Sequence, residues 1–298
     1  MAANRKVLML AGDGIVLLGT RDGALWIRQS DPQTPLLAPD WLYYSSIWDG
    51  RLFLLSGEAG MLVEGFRTNS TAPLYWYSTF QPTRSWLWDV TRVDNFYTAV
   101  GANGTIVTSD DGAEWFREAS PVESETQVLL GVGGNTNLLI AAGSQGTLLS
   151  SENVLTNVVS TNLLGEVVTN IVSLFGVNWR TLDVGLTNDL QGVAATSDTI
   201  IVTGGVGKIL RSSGSPIGEL WIPQISGVTT YLSGATTGPD GFVVVGAGGV
   251  ILTSPDGVSW TRRDSGVERW IYSVQFAGGM YVAVGEEGLI LTSTDGVE

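Results

Sequence analysis

A chain of 298 residues, 44% of them hydrophobic and 15% charged, holds ample material for a large core and needs no covalent staples. It has no cysteine and no histidine, which excludes disulfides, thiolate metal sites and imidazole-based acid–base or zinc chemistry. Its formal net charge of −14, relieved only by the adjacent basic pairs Arg5-Lys6 and Arg262-Arg263, speaks against nucleic acid and against anionic membrane surfaces.

Met1 to Leu18 has the outline of an export signal, a basic pair followed by an apolar run. Asp13 interrupts that run, and the segment matches a repeat found throughout the chain, so no cleaved leader is expected. The longest strongly apolar stretch, Gly241 to Thr253, is broken by glycines, and no membrane span is expected. The repeat opens with VLMLAGDGIVLLGTRDGALW (Val7 to Trp26) and returns as LFLLSGEAGMLVEG (Leu52 to Gly65). YTAVGANGTIVTSDDGAEW (Tyr97 to Trp115), LLIAAGSQGTLLSSEN (Leu138 to Asn153) and IIVTGGVGKILRSSG (Ile200 to Gly214) follow. It ends with FVVVGAGGVILTSPDGVSW (Phe242 to Trp260) and YVAVGEEGLILTSTDGVE (Tyr281 to Glu298).

The second glycine of each Gly-x-x-Gly serves as a ruler: Gly14, Gly60, Gly104, Gly146, Gly207, Gly249 and Gly288. The spacing is 39 to 46 residues, with one interval of 61. A period of about 40–50 residues with short Val/Ile/Leu/Tyr runs and frequent turn residues predicts four-stranded blades rather than helical repeats. The fold class expected is all-β: a β-propeller of about seven blades, with six possible. The blades are antiparallel and four-stranded, with incomplete terminal blades. The units fall near 1–30, 41–80, 85–120, 126–180, 189–224, 229–264 and 269–298 of a single domain. In each, Gly-x-x-Gly turns strand B into strand C, and Ser-x-Asp-Gly turns C into D. The first unit lacks room for strand A before Val7, and the last stops before strand D. The long interval places an addition within Asn153 to Asp189: a long D strand, an added hairpin or a loop.

The turns Ser109/Asp111/Gly112/Trp115, Ser254/Asp256/Gly257/Trp260 and Ser293/Asp295/Gly296 resemble the Asp-box of sialidase-like, or BNR-repeat, propellers, with one residue fewer between aspartate and glycine. The whole blade is similar to photosystem II assembly-factor-type and phage-type propeller repeats. The resemblance covers nearly the whole chain. It implies the fold strongly and the function weakly, because Asp-boxes in that family are structural turns. The glycine of each turn, Gly112, Gly257 or Gly296, is expected to serve as a hairpin residue that supplies positive φ.

Catalytic constellations are sparse. A sialidase would imply an arginine triad and a tyrosine–glutamate nucleophile pair, and neither is recognisable among the scattered arginines. The carboxylate pairs Asp110-Asp111, Glu123/Glu125 and Glu286-Glu287 sit mostly in or beside repeated turns. No calcium loop occurs. Ser109, Ser254 and Ser293 have no histidine to activate them. No catalytic, cofactor-binding or metal residue is therefore assigned, and no cofactor is expected. Aromatics crowd the second and third units. Of these, Trp41, Tyr43, Tyr44, Trp76, Trp86 and Trp88 are the candidate interaction surface, set against the alternative of filling inter-blade seams. The proline-bearing linkers Asp31 to Asp40 and Thr79 to Ser85 should lie on the same face as the Gly-x-x-Gly turns.

The function expected is a non-enzymatic structural or interaction propeller with protein partners, for which a bacteriophage virion, in its tail or fibres, is one setting. The alternatives are a glycan-binding or glycan-cleaving propeller and an assembly chaperone.

Overall fold

The computed structural model describes residues 2–3, 7–12, 15–20, 26–29, 42–48, 51–66, 75–79, 81–161, 167–173, 175–214 and 216–298. The first sheet runs β1 (Ala2–Ala3), β2 (Val7–Gly12), β3 (Ile15–Thr20), β4 (Trp26–Gln29). The second has β5 (Tyr43–Trp48), β6 (Phe53–Gly57), β7 (Leu62–Phe66), β8 (Tyr75–Ser78), and the third β9 (Leu87–Val93), β10 (Phe96–Gly101), β11 (Ile106–Ser109), β12 (Phe116–Arg117). The fourth sheet is β13 (Leu129–Asn135), β14 (Leu138–Gly143), β15 (Leu148–Glu152) and, after a separate hairpin of β16 (Leu155–Thr161) and β17 (Val167–Ser173), β18 (Trp179–Thr181). Next come β19 (Leu190–Ala195), β20 (Thr199–Gly204), β21 (Ile209–Ser213), β22 (Ile222–Gln224), and then β23 (Leu232–Gly238), β24 (Gly241–Gly246), β25 (Ile251–Ser254), β26 (Thr261–Arg263). The last sheet has three strands, β27 (Ile271–Ala277), β28 (Met280–Gly285) and β29 (Ile290–Ser293).

All pairings are antiparallel, and they join successive strands except where β15 pairs with β18. The innermost strands pack in series, β5 on β9, β9 on β13, then β19, β23 and β27, and β1 touches both β5 and β27. That contact closes the ring. The molecule is thus an all-β propeller with six four-stranded antiparallel blades and a three-stranded last sheet among the described residues.

The expectation of two incomplete terminal units is corrected at the first. Ala2–Ala3 suffices as an inner strand, because pairing with Leu8 and Met9 needs only two residues of ladder. The addition in the long interval is the β16–β17 hairpin.

The cores lie between neighbouring sheets. Leu54 and Leu62 of the second pack with Val90, Tyr97, Ala99 and Val107 of the third, and the same layer recurs around the ring. Middle strands buried on both faces explain the near-continuous apolar runs, such as the fully buried LLIAAG of β14. Each ruler Gly-x-x-Gly among the described residues places its third residue in the left-handed region. Ala59, Asn103, Gln145, Val206 and Glu287 hold φ between 50 and 60°. The ruler glycine that follows is left-handed too, but a second constraint fixes it. A Cβ on Gly60 would stand 2.1 Å from the carbonyl oxygen of Thr83, on Gly207 2.0 Å from that of Val228, and on Gly249 1.9 Å from that of Val267. The linker to the next blade lies directly on this turn, and its backbone accepts the glycine N–H, as in Gly207 N to Thr230 O at 2.7 Å.

Candidate site on the inner-strand face

The inner strands share an irregularity. Opposite the first glycine of each turn stand Tyr43, Leu87, Leu129, Leu190, Leu232 and Ile271. Pairing then skips Tyr44, Trp88, Leu130, Ser233 and Tyr272, and in β19 both Gln191 and Gly192. In five of the sheets these β-bulges turn one side chain out of the ladder at the same level.

Two of the skipped residues build an aromatic cluster. Tyr44 stacks on Trp88 with ring centres 4.3 Å apart, and Trp86 lies 6.0 Å from each. Trp86 is 44% exposed. The carbonyl of Trp86 accepts from Ala102 N beside the Gly-x-x-Gly turn at 2.8 Å, which puts the cluster on the turn-bearing face. The Thr83 contact with Gly60 brings the linker Thr79 to Ser85 to this face as well. Trp41 and Asp31 to Asp40 lie outside the described residues.

Two members of the expected surface are interior instead. Tyr43 is buried, at the position the other sheets give to leucine or isoleucine, and burial pushes its hydroxyl up to about 12. Trp76 is buried because it lies across Gly65 on the neighbouring strand, where a Cβ would meet its ring at 2.6 Å.

A second cluster occupies the same level in the last two units. Tyr231 and Trp270 are 5.7 Å apart, Trp270 and Tyr272 5.6 Å, and the Trp270 indole donates to Ser233 Oγ at 3.1 Å. Burial, with the charge of Asp189 nearby, pushes the Tyr231 hydroxyl up to about 12. Sequence reasoning missed this cluster. The signal is the parallel between Trp86-Leu-Trp88 and Trp270-Ile-Tyr272 ahead of equivalent strands. Asp89 was missed as well. Its Oδ1 accepts from Ser45 Oγ at 2.7 Å and Val90 N at 2.9 Å, and its Oδ2 from Val132 N at 2.9 Å, which ties three sheets together. Burial raises its pKa against the pull of these hydrogen bonds.

The Asp-box-like turns are saturated by their own backbones. Ser109 Oγ accepts from Gly112 N at 2.8 Å, and Asp111 Oδ1 accepts from Ala113 N and Glu114 N at 2.8 and 2.9 Å. In the sixth sheet Gly257 N donates to Ser254 Oγ at 2.8 Å, and Asp256 Oδ1 accepts from Val258 N and Ser259 N. Ser293, Asp295 and Gly296 repeat this geometry. Backbone N–H donors hold all three carboxyls below their usual range.

Gly257 stands in its turn and packs against a second sheet as well. Its φ of +72° meets the need for a left-handed residue, yet Gly257 is buried rather than exposed at a hairpin tip. The reason is the adjoining sheet. A Cβ on Gly257 would stand 3.3 Å from both Ile201 Cγ2 and Arg211 Cδ, and Arg211 Nε donates to the neighbouring Asp256 carbonyl at 3.0 Å. Gly112 and Gly296 are likewise buried, against Tyr97 and Glu64 in one case and Val243 and Tyr281 in the other. The turn glycine is therefore an inter-sheet contact as well as a bend.

Buried Trp115 donates to Gly112 O at 2.7 Å, whereas the Trp260 indole nitrogen has no hydrogen-bond partner among the described residues. The turn also persists where its aspartate is absent. Gly218 N donates to Ser212 Oγ, and Trp221 to Gly218 O. Gly176 N donates to Ser151 Oγ at 3.0 Å, and Trp179 to Gly176 O, so the β16–β17 hairpin is inserted inside this turn. The recurring Gly-x-x-Trp of 176–179 and 218–221 is the sequence signal for both.

Several of the remaining charged candidates have local partners. Glu123 pairs with Arg117 and Glu287 with Arg269, while Arg51, like Arg211, donates to a turn carbonyl in the adjoining sheet, that of Asp111. Among the described residues no group of three or more carboxylates is placed to hold a metal ion, and no helix is long and apolar enough to cross a membrane.

The fold and this face define a β-propeller, a ring that presents side chains from its inner strands. No protein-family model and no curated protein matches the chain. Among solved structures it is similar to YCF48 bound to D1 peptide, at 17% identity and a TM-score of 0.67, over 97% of this chain and 90% of that one. YCF48 from Cyanidioschyzon merolae gives 16% identity and 0.67 over 96% and 91%. The WD40 propeller domain of Doa1 gives 14% and 0.65 over 98% and 92%. At these identities the likeness establishes the propeller fold.

Proposed function

We propose that this chain is a non-enzymatic propeller that holds a protein segment on its turn-bearing face, in the manner of an assembly factor. The observation that carries the reading is the Tyr44–Trp86–Trp88 cluster, aromatic surface raised on inner-strand bulges with Trp86 open to solvent. Rigid aromatics of this kind anchor peptide and protein interfaces. The similarity to a propeller solved with a bound peptide supports the same reading. The virion setting and the glycan alternative gain no such support, from the geometry or from the neighbours.

The test is affinity capture from the source cells, followed by titration of the purified partner against wild type and Trp86→Ala. The variant should bind about 30-fold more weakly with an unchanged circular dichroism spectrum. Equal affinities would remove the aromatic face from the interaction. Turnover of any substrate in a glycoside panel would overturn the non-enzymatic reading.

A further inference from the structure

Asp189, Tyr231 and Trp270 hold one position in three consecutive sheets. The carbonyl of each accepts from the residue after the first glycine of its own turn: Gly205 N at 2.8 Å, Ala247 N at 2.9 Å and Glu286 N at 2.8 Å. Trp86 holds the same position in the third sheet, through Ala102 N. The second aromatic cluster therefore lies on the turn-bearing face with a carboxylate at its side. A Cβ on Gly205 would stand 3.7 Å from the Asp189 carbonyl oxygen and 3.8 Å from Tyr231 Cδ2, so acid and ring flank the same glycine.

The middle ring of this cluster is fixed. The Trp270 indole donates to Ser233 Oγ at 3.1 Å, and that buried hydroxyl donates to Ile271 O at 2.7 Å. Trp270 is thus held by the neighbouring sheet and surrenders little rotamer freedom to a ligand. Tyr231 and Tyr272 each contact it with ring planes tilted by 53° and 46°, and Tyr272 is 48% exposed.

The charge around these rings is negative. Asp189 is exposed, and Glu286 Oε2 accepts from Trp270 N at 3.3 Å. Glu268 and Glu287 add carboxylates in the adjoining linker and turn. Of the nearby bases, Arg269 is paired with Glu287 at 3.6 Å, which leaves Lys208. Among the described residues no cation of the chain covers these rings; the ring that carries one is Tyr97, under Arg92 at 5.4 Å. Aromatic faces attract cations. A guanidinium lies flat on a ring while its edge N–H groups donate to a carboxylate, which a compact ammonium does less well.

We infer that the Tyr231–Trp270–Tyr272 cluster, with Asp189 at its rim, binds an arginine side chain of the protein segment held on this face. The inference rests on the reading of that face as a protein-binding surface and adds the chemistry of what is bound. The segment is basic, with an apolar side chain on the Trp86 cluster and an arginine on the Trp270 cluster. Only the first sheet separates the two clusters around the ring, since β1 touches both β5 and β27.

The probe is a random dodecapeptide library panned against the 298-residue protein. The enriched peptide is then synthesised with its arginine and with citrulline, which keeps the shape and loses the charge. Wild type should bind the citrulline form about tenfold more weakly. Tyr272→Ala and Asp189→Asn should each shrink that preference to about threefold or less. Asparagine still accepts from Gln145 N, as Asp189 Oδ1 does at 2.9 Å, so the linker stays in place. Enriched peptides without arginine, or a preference that both variants leave intact, would overturn the inference. Binding lost on Trp86→Ala with no arginine requirement would uphold the protein-binding face and remove this site. An arginine preference that Tyr272→Ala abolishes and Trp86→Ala leaves untouched would do the reverse. An empty selection would overturn both.

Discussion

Gly249 and Gly288 occupy the same place in consecutive turns, with φ of +66° and +72°. They differ in what lies above them. A methyl group on Gly249 would meet the Val267 carbonyl oxygen at 1.9 Å, whereas on Gly288 it would meet nothing within 4 Å among the described residues. Alanine at either site incurs the left-handed penalty of about 1–2 kcal/mol, and both gain equally from a stiffer unfolded chain. At Gly249 the linker must also retreat by about 1 Å, an overpacking cost of about 1–3 kcal/mol. That retreat strains the hydrogen bond from Gly249 N to Arg269 O at 2.9 Å, worth about 1 kcal/mol. Gly249→Ala should therefore lose about 3–6 kcal/mol and Gly288→Ala about 1–2. Urea unfolding followed by tryptophan fluorescence and far-ultraviolet dichroism measures both, with coincidence of the two probes checking two-state behaviour. Losses that agree within error would show that the ruler glycine is held by its dihedral alone and that the linker contact contributes nothing.

Val206 is a β-branched residue at φ 50° on an exposed turn, so Val206→Asn should raise stability by about 1 kcal/mol in the same assay. Asp89 has its folded pKa raised by burial, so the native state holds the proton more tightly than the unfolded chain. Its contribution is complete below the ordinary value of 3.8 and is lost as the pH rises through the folded pKa. Subtracting the Asp89→Asn stability profile from wild type should thus leave a component that declines with rising pH; a component that climbs instead would contradict the burial argument. Asp111, Asp256 and Asp295 carry the opposite sign, and Asp256→Ala should remove a contribution that wild type loses on acidification. Replacing residues 155–173 by a short turn leaves the bond between Ser151 and Gly176 in place, so the unfolding midpoint should move by no more than a few degrees in a thermal scan.

The blades were legible because their signals are local and repeated. A glycine needed for close approach recurs wherever a linker crosses a turn, and alternating or fully apolar strands follow it at fixed distance. The first inner strand was not legible, since two alanines carry no pattern; only the proximity of β2 makes them a strand. The aromatic surface was half legible. Tyr43 and Tyr44 look alike in sequence, yet one residue of register puts the first in the core and the second on the bulge. Trp76 was misread because its burial depends on the absent side chain of Gly65 across the strand pair. The bend at Gly257 was readable from its own turn, but its burial was not, since Ile201 and Arg211 reach it from a different sheet. Asp89 was invisible, since its three partners come from strands about 40 residues away on either side and from its own neighbour.

The skipped residue on five of the inner strands separates two design problems that most sheets must solve together. Positions opposite the first glycine admit only bulky, mainly apolar side chains, while the next position carries tyrosine, tryptophan, leucine or serine without altering the ladder. A lineage could rewrite what the ring recognises one slot at a time, as keys are recut on a common blank, while the architecture that supports the slots is inherited unchanged.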